Sequence, residues 1–454
     1  MQIAVTYEAL EQTMKEFSLN LFLILVLGII SLGFTAMPAF AQDDEKLQAL
    51  QRTVENQQKQ LSEQRRLILE LKAQMESLAD AGKKKTVQAP IEDKSSSDRR
   101  ETRSPSTDVP RDEKVVTSGE ERVKLSISGS VNRAVNLVDD GKDKDAYFVD
   151  NDNAESRVTF LATGKINEDL TLGGRLELTI APDKASDVNQ NDSEPGDVFE
   201  QRWADVSLDS KRFGKLSLGK GFTASYGTAS RDLSKTNVIS YVTVADTAGG
   251  MLFRQKGDDT LTNLQINQAF QSYDGLNRRS RVRYDTPTYK GFQVSTSLLT
   301  EQKYDAALWW GGQGYGFKAI GAASFADPKI DGADKQYAGS FSMLHEKSGL
   351  NLTLSTGLLE RNKQDDGKNY YAKLGWIADF FSVGHTAFSI DYNKTENQPG
   401  EGDDGYSPGF AAVQSFDKYG AEVYFLYRKY SLDRDVEPEV HDIDVVSIGS
   451  RVKF

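Results

Sequence analysis

Bond-making chemistry has few places to live in this chain. Cysteine is absent, which removes disulfides, thiolate metal ligands and a catalytic thiol. The three histidines, His345, His385 and His441, are far apart, and no G-x-S-x-G serine accompanies them, so an enzyme is not expected. The run Gly214 to Gly221 (GKLSLGKG) approaches a phosphate-binding loop, but Gly221 stands where Ser or Thr is required and no helix pattern follows. It reads as a glycine-rich strand, and Gly312 to Gly316 (GQGYG) as a hairpin turn. Asp150 to Glu155 (DNDNAE) offers oxygen ligands without the glycine of an EF-hand loop and reads as a solvated loop. No metal or cofactor is expected. What remains is placed charge. Arg157 and Arg175 sit in separate alternating runs, and Arg279, Arg281 and Arg283 follow one another at every second position. The long connection from Gly221 to Arg278 carries the acids Asp232, Asp246, Asp258 and Asp259. Alternate residues of a strand share a face, so such arginines opposed by acids would set up a field rather than a reaction centre.

The elements that hold these charges are strands. From Lys124 onward polarity alternates with a period of two: Leu125, Ile127, Gly129 and Val131 against Ser126, Ser128, Ser130 and Asn132. Val158, Phe160 and Ala162 oppose Arg157, Thr159 and Thr163, and Leu172, Leu176 and Leu178 oppose Arg175, Glu177 and Thr179. About sixteen such segments are countable, the last ending in Val446, Ile448, Val452 and Phe454. Short turns (Asn167-Glu168, Lys347 to Gly349, Asp417-Lys418) separate some pairs. Long Asp/Asn/Gly-rich loops (137–155, 182–199, 394–404, 431–442) separate others. That rhythm predicts an all-β transmembrane barrel over 123–454. It also resolves an oddity of composition. Charged residues make up 27%, mean hydropathy is −0.52 and net charge is −12, yet aromatics reach 10%. Only one face of each strand meets lipid, so average hydropathy stays low. Tyr424, Phe425, Tyr427 and Tyr430 are expected in interfacial girdles. An acidic chain excludes whole-molecule attraction to nucleic acid.

Ahead of the barrel, Leu19 to Phe34 is apolar, too short to span a membrane as a helix, and followed by Ala39-Phe40-Ala41. This predicts a signal peptide over 1–41, with Met14 as the natural start. Residues 42–80 repeat apolar residues in heptads, with Leu47, Val54, Leu61, Ile68 and Met75 at a and Leu50, Gln57, Gln64, Leu71 and Leu78 at d. A coiled-coil helix is expected. Residues 81–122, with Lys83 to Lys85, Ser95 to Ser97 and scattered proline, read as a disordered linker.

Lys124–Val131 (KLSISGSV), Lys211–Lys220 (KRFGKLSLGK), Arg281–Pro287 (RVRYDTP) and the Ile443–Phe454 terminus together resemble the Gram-negative trimeric outer-membrane porin family. The resemblance covers roughly 122–454 and implies a sixteen-stranded homotrimeric channel, a general-diffusion porin-like barrel, with a third loop folded into the lumen. It implies passage of small hydrophilic solutes and ions past a constriction built from Asp232, Asp246, Arg157, Arg175, Arg279, Arg281 and Arg283. It also makes Phe454 a signal for the barrel-assembly machinery, with outer-membrane lipid and lipopolysaccharide as surroundings. The extension departs from the plainest members and is expected in the periplasm. An alternative reading is an envelope tether, whose coil and linker contact peptidoglycan while the barrel anchors.

Overall fold

The computed structural model describes residues 115–116, 123–329, 332–435 and 438–454. The signal peptide, the coiled coil and most of the linker lie outside the described residues. Sixteen antiparallel strands form the wall. They are β1 (Val123–Asp139), β2 (Arg157–Lys165), β3 (Leu170–Pro182), β4 (Asp197–Ser210), β5 (Gly214–Phe222) and β6 (Arg278–Asp285). Next come β7 (Phe292–Leu299), β8 (Tyr304–Gly314), β9 (Phe317–Asp327), β10 (Ala333–His345) and β11 (Leu350–Arg361). The wall ends with β12 (Gly367–Phe381), β13 (Gly384–Glu396), β14 (Asp404–Phe416), β15 (Ala421–Asp433) and β16 (Ile443–Lys453).

Each strand pairs with its sequence neighbour, and the ring closes because β1 has two partners. One edge pairs with β2, from Val123↔Gly164 to Ser130↔Arg157. The other pairs with β16, from Ser130↔Lys453 to Asp139↔Asp444. At this seam Phe454 N–H donates to the Gly129 carbonyl (3.0 Å) and Gly129 N–H to the Phe454 carbonyl (2.8 Å). Gly129 has to be glycine, because a Cβ there would lie 2.6 Å from the Phe454 ring. Val115–Val116, within the stretch read as linker, pair with Ser126 and Leu125 of β1.

Outward positions such as Val206, Leu218, Leu298, Leu374 and Ile390 are more than half exposed, as a lipid-facing surface requires. Aromatic residues crowd the short-turn end, where Trp376 lies 5.3 Å from Phe380 and 6.1 Å from Phe388. The expected girdle on β15 is only half realised. Alternation turns Phe425 and Tyr427 outward but Tyr424 and Tyr430 inward, where they are 2% and 0% exposed.

Two connections are more ordered than their composition suggests. The stretch after β1 reverses at Asp140–Asp143 and returns as a strand, Lys144–Asp150, against β1. Within 221–278, Leu261–Gln265 forms a short strand paired with Leu252–Arg254. It stops there because Gln265 and Gln268 cap a helical turn, Ile266–Ala269.

Candidate functional site

The segment between β5 and β6, residues 223–277, is not a solvated loop. It carries the apolar run Val238-Ile239-Ser240-Tyr241-Val242-Thr243-Val244, and burying that run inside the barrel gives it a core of its own. Val238, Ile239, Val242, Val244, Met251, Phe253, Ile266 and Phe270 pack with Tyr371, Tyr424, Leu426 and Tyr430 of the wall. Each fully buried large apolar side chain contributes about 1.5–3 kcal/mol.

Polar contacts then fix the path of this inner segment, which follows the wall strand by strand. Ala224 N–H donates to Ser297 of β7 (2.6 Å) and Ser225 N–H to Asp305 of β8 (2.9 Å). Thr228 meets Ser324 of β9 (2.6 Å), and Leu233 N–H donates to Ser342 of β10 (3.0 Å). The Ala229 carbonyl accepts from Ser355 of β11 (2.7 Å), and Asp232 pairs with Lys373 of β12 (2.8 Å). Ser240 donates to Asp391 of β13 (2.7 Å), which also pairs with the buried Arg428 (2.7 Å). The Val244 carbonyl accepts from Tyr430 of β15 (2.6 Å), and the Thr247 carbonyl from Asn136 of β1 (2.7 Å). The segment thus lines the wall from β7 round to β1, and the inner faces of β2–β4 lie across from its remaining edge.

Those inner faces carry the charge. Arg175 pairs with Glu177 (2.5 Å), which also pairs with Arg202 (3.0 Å) and accepts from Thr159 (2.9 Å). Arg202 pairs in turn with Glu155. Arg157 lies within electrostatic reach of Glu177, Arg451, Arg278 and Arg175. Opposite them the Tyr241 hydroxyl donates to Asp246. Burial pushes the Asp246 carboxyl up to about 6, against the pull of the Tyr241 bond and of Lys184, Arg202 and Arg278. Asp152, buried beside Lys184, is raised to about 7 for the same reason. The DNDNAE stretch is therefore no solvated loop. Asn151 donates to the Val238 carbonyl (3.2 Å) and to Tyr424 (3.0 Å), and Glu155 pairs with Lys184 (2.9 Å), so it latches the inner segment to the wall.

The charges singled out from sequence fall into two groups. Arg157 and Arg175 gather at Glu177, and Asp246 lies within electrostatic reach of Arg202 and Arg278. Asp232 instead sits in a buried ion pair at Lys373. Arg281 is tied to Asp205 (2.8 Å) and to the Gly219 and Phe222 carbonyls (2.8 and 2.9 Å). Arg283 binds Asp285 (2.7 Å) and the Thr223 carbonyl (2.8 Å), fixing the point where the chain leaves the wall. Arg279 is exposed at the start of β6, and Asp259 pairs with His441 (3.1 Å).

Alternation could not find Arg202 or Arg278. The β3–β4 register jumps from Glu177↔Trp203 to Leu178↔Gln201, and the extra residue at this bulge lets consecutive Arg202 and Trp203 both turn inward. Arg278 is the first residue of β6, where the loop sets its direction, and its guanidinium lies over Phe222 (4.7 Å).

No match was found among curated protein sequences. The family model of the Gram-negative porins matches residues 115–436. Among solved structures, the anion-selective porin from Comamonas acidovorans is similar with a TM-score of 0.51 at 15% identity, covering 73% of this chain and 100% of that one. In-vitro folded OmpT, an outer membrane protein of Vibrio cholerae, has a TM-score of 0.51 at 14% identity, with 75% and 100% covered. A closed barrel of sixteen antiparallel strands around an inner segment, with a family match over most of the chain, leads to one conclusion: this chain belongs to the Gram-negative porin family.

Proposed function

We propose that the barrel is a passive diffusion channel for small hydrophilic solutes and ions across the outer membrane, with residues 223–277 as its constriction. One observation carries this reading: the inner segment lines the wall from β7 to β1 and holds Asp246 within electrostatic reach of Arg202 and Arg278, the latter standing with Arg157 and Arg175. Acid on one side and base on the other, in a narrow and partly desolvated neck, make a transverse field that sorts solutes by size, dipole and charge. Asp232, Arg281 and Arg283 take a different part here. They hold the segment in place instead of lining the passage.

The working unit in this reading is a homotrimer. Its support is an apolar hollow on the outward face of β1–β5, where Ala162, Gly174 and Ala204 leave room between Leu125, Phe160, Leu176 and Leu218 for a second copy. The N-terminal extension then lies in the periplasm. Planar-bilayer recording of the purified full chain is the test. Stepwise conductance, in groups of three, is expected in potassium chloride, and a silent bilayer overturns the proposal.

A further inference from the structure

Three rings and two guanidinium groups form a continuous pile on the β3–β6 side of the interior. Trp203 and Phe222 meet edge to face with centroids 4.4 Å apart, and Phe222 and Tyr226 follow at 4.5 Å. Arg175 lies 4.0 Å over Trp203, while Arg278 covers Phe222 at 4.7 Å and Tyr226 at 5.5 Å. A wet passage for simple ions does not call for such a pile, because aromatic faces hold no water and a guanidinium over a ring forgoes part of its hydration.

Its hydrogen-bonding capacity is also incompletely used. Arg175 Nε, Trp203 Nε1 and Arg278 Nε are buried donors without a partner. Glu177, the acid beside Arg175, is already engaged by Arg175, Arg202 and Thr159. Among the described residues, Arg157 and Arg278 have no carboxylate partner. Arg278, Phe222 and Tyr226 are each only partly buried, so one side of the pile faces the interior.

We infer that this pile is a resting site for flat, conjugated carboxylates, whose ring extends the Phe222–Tyr226 pair while Arg157 and Arg278 take the carboxylate. The inference rests on the channel reading and adds to it a preferred solute. An arginine fork matches a carboxylate in plane, and ring faces beside it discriminate by flatness, which charge alone does not.

The test uses two probes of equal charge and similar size, benzoate and cyclohexanecarboxylate, added to one side of a bilayer holding the purified full chain in potassium chloride. Benzoate blockages are expected to last roughly five- to tenfold longer, the size of one good aromatic contact. In conducting Tyr226→Leu or Phe222→Leu channels that ratio falls toward one, and in Arg157→Gln blockage by both probes shortens. Equal dwell times for the two probes on the unaltered protein overturn the inference. So does an unchanged ratio in both ring variants. Absent conductance steps in potassium chloride overturn the channel reading itself and are told apart by that control.

Discussion

Asp246 is where a single residue sets the behaviour of the passage. Its carboxyl, raised to about 6 by burial, is faced by Tyr241, Tyr226, Asp152, Lys184, Arg202 and Arg278. Below that pH the group is neutral and the arginines opposite act alone; above it a negative charge is added to the neck. Anion preference is therefore expected to rise as pH falls through about 6, read as a shift of reversal potential in a salt gradient. Asp246→Asn removes its share of this step and leaves weaker inflections from Asp152, near 7, and from Asp274, which burial also raises to about 6. At about 1 kcal/mol of charge interaction the change is roughly fivefold in permeability ratio. Arg157→Gln should move selectivity the other way. The Asp232–Lys373 pair makes a separate prediction, since both side chains are nearly fully buried, at 3% and 0% exposure. Lys373→Met strands a carboxylate, at a cost of about 3–5 kcal/mol. Thermal unfolding on a gel should come at lower temperature, and the open-channel current should be noisier. Arg157 and Arg175 were legible in the sequence because alternation alone decides their side. Arg202 was not, because a bulge breaks alternation, and Arg278 was not, because a strand's first residue answers to its loop.

The inner segment is an element with a core, and its stability is separable from that of the wall. Phe253 is fully buried within that core. Phe253→Ala should weaken the segment's docking by about 3–5 kcal/mol while the ladder of wall hydrogen bonds is untouched. Hydrogen exchange should then quicken across 236–253, conductance should rise and fluctuate, and the barrel's unfolding temperature should hold. At this scale the sequence was readable where one physical rule governs: all sixteen expected strands correspond to wall strands. It was less readable where segments pack on one another. The DNDNAE stretch looks solvated by composition, yet it is buried because the inner segment comes to it. The girdle on β15 failed for a simpler reason: Tyr424 and Tyr430 stand on the even face, and aromatic type alone does not tell lipid from lumen.

The whole molecule depends on one seam. Every wall strand but β1 and β16 meets its neighbours in sequence, and those two join the ends of the domain. Gly129 admits the Phe454 ring there, so Gly129→Val should obstruct closure: less protein in the heat-modifiable folded form, with deletion of Phe454 acting in the same direction. The seam also sets a timetable. The β1 edge that β16 will cover stays unsatisfied until the final strand of the chain has been delivered, and an open edge pairs with whatever strand arrives first. Val115–Val116 occupy only its lower part. Export must therefore finish before the tube can shut, and a chain cut short would reach the membrane with a raw, adhesive flank.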